Sequence, residues 1–215
     1  MVTNTAGQPS VGTAARFAYA AGATGILADL FLVAMYVVLG LQAGGPETSL
    51  GPAGDLSGTA SDLVESLSAA FMIPVALALG GRLPQRRGAR LMQAAGLAAM
   101  ALLAIGGPLL VLGVLSFEVE TPIAMAAWII LCVWLLLLNR WLRLSDALSV
   151  RVARLGEALG AGLLAGYVVV GMGLLLPWMS WPQLVVFGVG VLIGLPAYLG
   201  IPVWFVLLGR HLAAS

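Results

Sequence analysis

LVVFGVGVLIGLPAYLGIPVWFVLL, residues Leu184–Leu208, contains no charged side chain. A helix needs about 20 mostly apolar residues to cross the hydrocarbon core of a bilayer, and this segment meets that requirement alone. Five more windows approach or exceed it: Phe17–Leu41, Leu63–Gly81, Leu91–Leu115, Ile123–Leu138 and Leu159–Trp178. None alternates with period two, and each outruns the roughly 9–11 residues of a barrel strand. The sequence therefore predicts an all-α membrane protein, a bundle of six transmembrane helices spanning residues 17–208, with short polar tails over 1–16 and 209–215.

Composition points the same way. Of 215 residues, 61% are hydrophobic and only 9% charged, and the mean hydropathy is +1.05. A water-soluble domain covers its surface with roughly a quarter charged residues, which this chain lacks. One histidine and one cysteine cannot build a zinc site, an iron–sulfur cluster or a bis-histidine haem, and a single cysteine forms no internal disulfide. A net charge of +1 leaves no electrostatic footprint for nucleic acid. No Walker loop, nucleophile elbow, HExxH or CxxC motif occurs, so the chain reads as non-enzymatic. No cofactor is predicted, although an apolar lipid or pigment held by helix faces leaves no motif.

Arginine fixes the orientation, because the chain has no lysine. Arg16 precedes the first span, and Arg82, Arg86, Arg87 and Arg90 lie at the second connection. Arg140, Arg143, Arg151 and Arg154 lie at the fourth, and Arg210 follows the sixth span. All fall on one side of a six-span topology. Glu47, Asp55, Asp62, Glu65, Glu118 and Glu120 fall on the other. The positive-inside rule then places both termini in the cytoplasm. Trp141, Trp178 and Trp181 sit at predicted boundaries, where amphipathic rings prefer to lie. Gly44–Ser61, rich in Gly, Pro, Ser and Thr, reads as an outer loop. Ser145–Glu157 reads as a short amphipathic helix at the inner headgroups, with Arg151 and Arg154 toward anionic lipid.

The second and sixth spans echo one another. Ile73-Pro74-Val75 precedes Leu79 and Gly81-Arg82 as Ile201-Pro202-Val203 precedes Leu207 and Gly209-Arg210. Tyr36-Val37-Val38 and Gly40 echo Tyr167-Val168-Val169 and Gly171. Either this is a parallel duplication of a helical hairpin, with Pro74 and Pro202 kinking their helices at matching depth, or a coincidence within an apolar alphabet.

Asp29 is the first candidate functional residue. A carboxylate midway through a span costs roughly 2.5–3.5 kcal/mol on insertion scales, and no arginine lies at that depth. The residue is expected to point into the bundle, protonated, with Tyr167 as its hydroxyl partner. It reads either as a structural hydrogen-bonding group or as a proton-coupling site. Asp62 and Glu65 resemble a paired-carboxylate site, but Ser61 or Asp62 capping the second helix, with Glu65 closing a capping box, accounts for them more simply. Glu118 and Glu120 suit the first turn of the fourth helix and Glu157 the start of the fifth, where acids complement the helix dipole. His211 reads as a tail residue and Cys132 as a small buried hydrophobe. Gly156 and Gly160, Gly162 and Gly166, and Gly190 and Gly194 form small-xxx-small faces for close helix packing, within the chain or between chains.

The closing Pro202-Val203-Trp204-Phe205-Val206-Leu207-Leu208-Gly209-Arg210, the Asp in the first span and the arginine-rich second inner loop resemble small bacterial six-helix membrane proteins grouped as domains of unknown function. That resemblance implies a bacterial inner membrane and transfers no catalytic residue. Two functions follow as expectations. One is an accessory or binding subunit of a larger membrane assembly, whose partners are other membrane subunits or copies of itself as well as lipid. The other is a small proton-linked transporter or channel using Asp29, with the bent sixth helix as its moving part.

Overall fold

The computed structural model describes residues 10–42, 51–84, 86–177 and 180–214. Six helices make up the fold: α1 (Val11–Gln42), α2 (Gly51–Gly80), α3 (Arg87–Val111), α4 (Phe117–Leu144), α5 (Val150–Gly173) and α6 (Trp181–Ala213). There is no strand among the described residues, and all six helices are long and apolar enough to cross a membrane. The chain has the form of a multi-pass membrane protein. Glu47, Trp178 and the tail residues 1–9 lie outside the described residues.

Each helix packs on the next, and α6 returns to α1, so the bundle closes into a ring. The pairs are antiparallel. Along α1 and α2, Ser61 Oγ donates to Ala28 O (3.2 Å) and Ser68 Oγ to Ala21 O (2.9 Å). Between α1 and α6, Gly25 abuts Pro202 and Gly209 abuts Ala15. All ten arginines therefore gather at one end of the ring, and Arg82 Nη1 donates there to Ala147 O (3.4 Å) across two connections. Glu118 and Glu120, in the first turn of α4, lie at the opposite, acidic end.

Glycine sets several of these contacts. Gly160 lies on the α4 backbone at Cys132 and Leu136, while Gly156 faces the side chain of Asn139. Gly166 lies on Gly190 and Gly194, and Gly162 faces Ala197. The Gly162/Gly166 and Gly190/Gly194 faces thus meet each other inside one chain. Large apolar side chains such as Leu30, Leu175 and Leu192 point outward, the arrangement a lipid-facing surface requires. Within the ring, Trp134 Nε1 donates to Gln93 Oε1 (3.0 Å), and Gln93 Nε2 donates to Ala76 O (2.6 Å). Gln93→Leu leaves the Trp134 N–H unpaired, and thermal unfolding in detergent should show a loss of about 1–3 kcal/mol.

Three local expectations are corrected. Residues 51–61 are helical rather than a loop, with residues 44–50 outside the described residues. The segment lacks an apolar period, but its small residues let it lie on α1: Gly58 faces Met35, and Ser61 holds the Ala28 carbonyl. Tertiary packing here outweighs weak propensity. Residues 145–157 form no separate surface helix, because α5 starts at Val150 and runs unbroken to Gly173. Its Ala153 is buried and its Val152 carbonyl accepts from Trp204 Nε1 (3.0 Å), so the segment is bundle wall. Pro74 and Pro202 do not share a depth. Gly25 contacts both Pro202 and Ser68, which sets Pro202 level with Ser68. Pro74 lies about 9 Å nearer the arginine end at 1.5 Å per residue.

Candidate functional site

A helical stripe on α2 carries Ser61, Glu65, Ser68 and Met72, residues that share one face at helical spacing. The two serines are held by carbonyls of α1. Glu65, with the longer side chain, reaches inward. Its Oε1 accepts from Trp128 Nε1 of α4 (3.0 Å), and its Oε2 accepts from Tyr198 Oη of α6 (3.3 Å). The two rings touch, with centroids 5.4 Å apart and planes inclined by 55°. Residues from α2, α4 and α6, which are not neighbours in the ring, thus meet at its centre. Only long side chains can span that gap.

Asp29 of α1 lines the same cavity, together with Glu65, Ser68, Trp128, Tyr198 and Pro202. About 30 Å³ is open to water-sized molecules there, room for one or two waters. No hydrogen bond to the Asp29 carboxyl is found among the described residues, and no arginine lines the cavity. The ion pair of Arg143 with Glu157 (2.7 Å) lies near the arginine end. Two carboxyl groups therefore share a small, largely apolar chamber without a basic partner. Both acids are only partly exposed, and carboxyl groups withdrawn from water without a basic partner are stabilised by protonation or by hydrogen-bond donors, as Glu65 is by Trp128 and Tyr198.

Pro202 matters through its missing N–H. It stands four residues after Tyr198 and donates nothing to that carbonyl, which loosens the helix at the turn that presents Tyr198 to Glu65. Gly25 opposite carries no side chain, and a Cβ there would stand 2.7 Å from Pro202 Cγ. The close approach of α1 and α6 at the cavity thus depends on glycine.

Asp29, Glu65 and Pro202 come together here; Pro74 and Tyr167 do not line the cavity, and Tyr167 lies within electrostatic reach of Glu65 and Tyr198 without bonding to Asp29. The hydroxyl partner is Tyr198 and the acid it binds is Glu65, not Tyr167 with Asp29. The reason is topological, since α1 packs on α2 and α6 and not on α5. The capping roles of Ser61, Asp62 and Glu65 also fall, because α2 begins at Gly51 and these residues lie well inside it. Glu157 likewise sits two turns into α5, and its partner is Arg143, which donates through Nε (2.7 Å) and Nη2 (3.1 Å) rather than the helix dipole. Cys132 is buried, and His211 lies in the last turn of α6. Trp128 and Tyr198 carry no signal in the sequence beyond being aromatic residues in apolar helices. Comparison of the chain with protein-family models, characterised proteins and solved structures finds no match.

Proposed function

We propose that this protein is a small proton-linked membrane transporter in which Glu65, with Asp29, holds the coupling proton. The observation that carries the reading is the Glu65 carboxyl at the ring centre, bonded by Trp128 and Tyr198 beside Asp29 in a cavity that no arginine lines. Groups of this kind inside a membrane span typically mark ion and proton pathways. The loosened turn of α6 at Pro202 supplies a movable element on the helix that binds Glu65. An accessory-subunit role draws its support from missing chemistry, and the central acid site supplies a chemistry.

The arginine end belongs in the cytoplasm by the positive-inside rule, which puts both termini inside a bacterial plasma membrane. Single cysteines on a Cys132→Ala background test this. A membrane-impermeant thiol reagent should spare Arg87→Cys in sealed cells, and labelling there reverses the orientation.

The function is tested by fast pH jumps on proteoliposomes adsorbed to a capacitive electrode. The wild type should give a charge displacement on each jump, Glu65→Gln should abolish it, and Asp29→Asn should reduce it. A full displacement in Glu65→Gln rules the reading out, and stoichiometric co-purifying subunits together with no displacement in the wild type would favour the accessory role.

A further inference from the structure

The two halves of the bundle differ on either side of the central chamber. Toward the arginine end the interior is filled by Trp134, Leu79, Met100, Trp204 and Phe205, all fully buried. Trp204 and Phe205 meet edge to face with centroids 4.8 Å apart. Both indoles are pinned, Trp134 to Gln93 and Trp204 to the Val152 carbonyl. Large, fully buried side chains, two of them hydrogen-bonded in place, fill this half of the interior, and close packing of this kind leaves few voids as large as a water molecule.

Toward the acidic end the packing is thin. Among the described residues, none is buried over 30–37 of α1 or 117–126 of α4. Gln183 is the one large, fully buried side chain in that half, and it belongs to the α5–α6 seam through its bond to Gly173 O (3.3 Å). Two further acidic residues, neither of which lines the cavity, lie on the acidic-end side of the chamber. Asp62 stands one turn above Glu65 on α2, its backbone carbonyl against Gly107, and Glu120 of α4 lies beside the adjoining Gly106. Consecutive glycines on α3 thus seat both acidic residues. Asp62 lies within electrostatic reach of both Glu65 and Glu120.

We infer that, in the conformation described, the central chamber exchanges its proton with the acidic end of the bundle, Asp62 and Glu120 forming the access route while the Trp134–Trp204–Phe205 plug seals the arginine end until α6 moves. This rests on the reading of Glu65 as the coupling site. Carboxylates lining a narrow low-dielectric approach concentrate cations and raise their rate of arrival. They act as positioning residues: they set how fast the proton reaches Glu65, not how much charge the site holds.

The experiment uses the whole protein in proteoliposomes of one orientation, selected through a C-terminal tag, with the pH jumped on one side at a time. A jump on the acidic side should displace charge, and a jump on the arginine side should not. Glu120→Gln with Asp62→Asn should slow the acidic-side response about tenfold at low ionic strength, leave the total charge unchanged, and lose most of the difference at high salt. Equal responses from both sides, or a response from the arginine side alone, overturn the inference. If either occurs while Glu65→Gln still silences the protein, the coupling site stands and only its access is wrong. If Glu65→Gln leaves the response intact, the site itself is wrong and the inference falls with it.

Discussion

Glu65→Leu should destabilise the detergent-solubilised protein far more than Glu65→Gln, although both remove the charge. Leucine takes away the acceptor for two donors at once, Trp128 Nε1–H and Tyr198 Oη–H, and each donor left unpaired costs about 1–3 kcal/mol. In a membrane protein the unfolded helices also find partners, which moves the cost toward the lower end of that range. Glutamine keeps an oxygen to accept from Trp128 and an amide that the Tyr198 oxygen can accept. Its fold should therefore be close to wild type while its charge displacement is gone. The triple variant Glu65→Leu, Trp128→Phe, Tyr198→Phe should recover most of the lost stability, since removing both partners of a hydrogen bond leaves nothing unpaired. Thermal unfolding of the four proteins in one detergent decides it. A Glu65→Leu protein as stable as wild type would mean that the two bonds are not made.

The same residue shows where reading the sequence stops. Six spans and the sorting of arginine are legible because they depend on composition over whole windows, and Asp29 stands out because its window is otherwise apolar. Glu65 is a candidate in the sequence only as half of a paired-carboxylate site, because Gly51–Ser61 has no apolar period, so the start of the second span falls twelve residues late, at Leu63, and a mid-helix acid looks like a helix cap. Trp128 and Tyr198 lie far from Glu65 in sequence, and aromatic residues in apolar helices more often fill a core. Their convergence depends on the closure of the ring by α6 on α1, which no local pattern encodes. Tyr167 has a plausible depth for Asp29 and the wrong neighbour. Depth can be counted along a sequence; adjacency around a ring cannot.

Gly166 and Gly194 touch each other, yet alanine should act on them in opposite senses. A Cβ at Gly166 would stand 2.7 Å from Gly194 Cα and 3.0 Å from Gly190 O. Both are backbone atoms, so no rotamer change relieves the clash, and α5 must move off α6. Overpacking of this kind typically costs about 1–3 kcal/mol. A Cβ at Gly194 would meet Gly166 Cα at 3.4 Å and Leu163 Cδ1 at 3.6 Å, ordinary contact distances. There alanine should be neutral or stabilising, because glycine within a helix costs up to about 1 kcal/mol relative to alanine. Melting temperatures of the two variants in the same detergent test the contrast, and equal losses would mean that the helices lie closer at Gly194 than the structure places them. The site should report the same difference. Tyr198 lies one turn beyond Gly194 on α6, so a helix pushed away at Gly166 carries the Tyr198 hydroxyl from Glu65. Gly166→Ala should therefore also diminish the charge displacement, and Gly194→Ala should leave it whole.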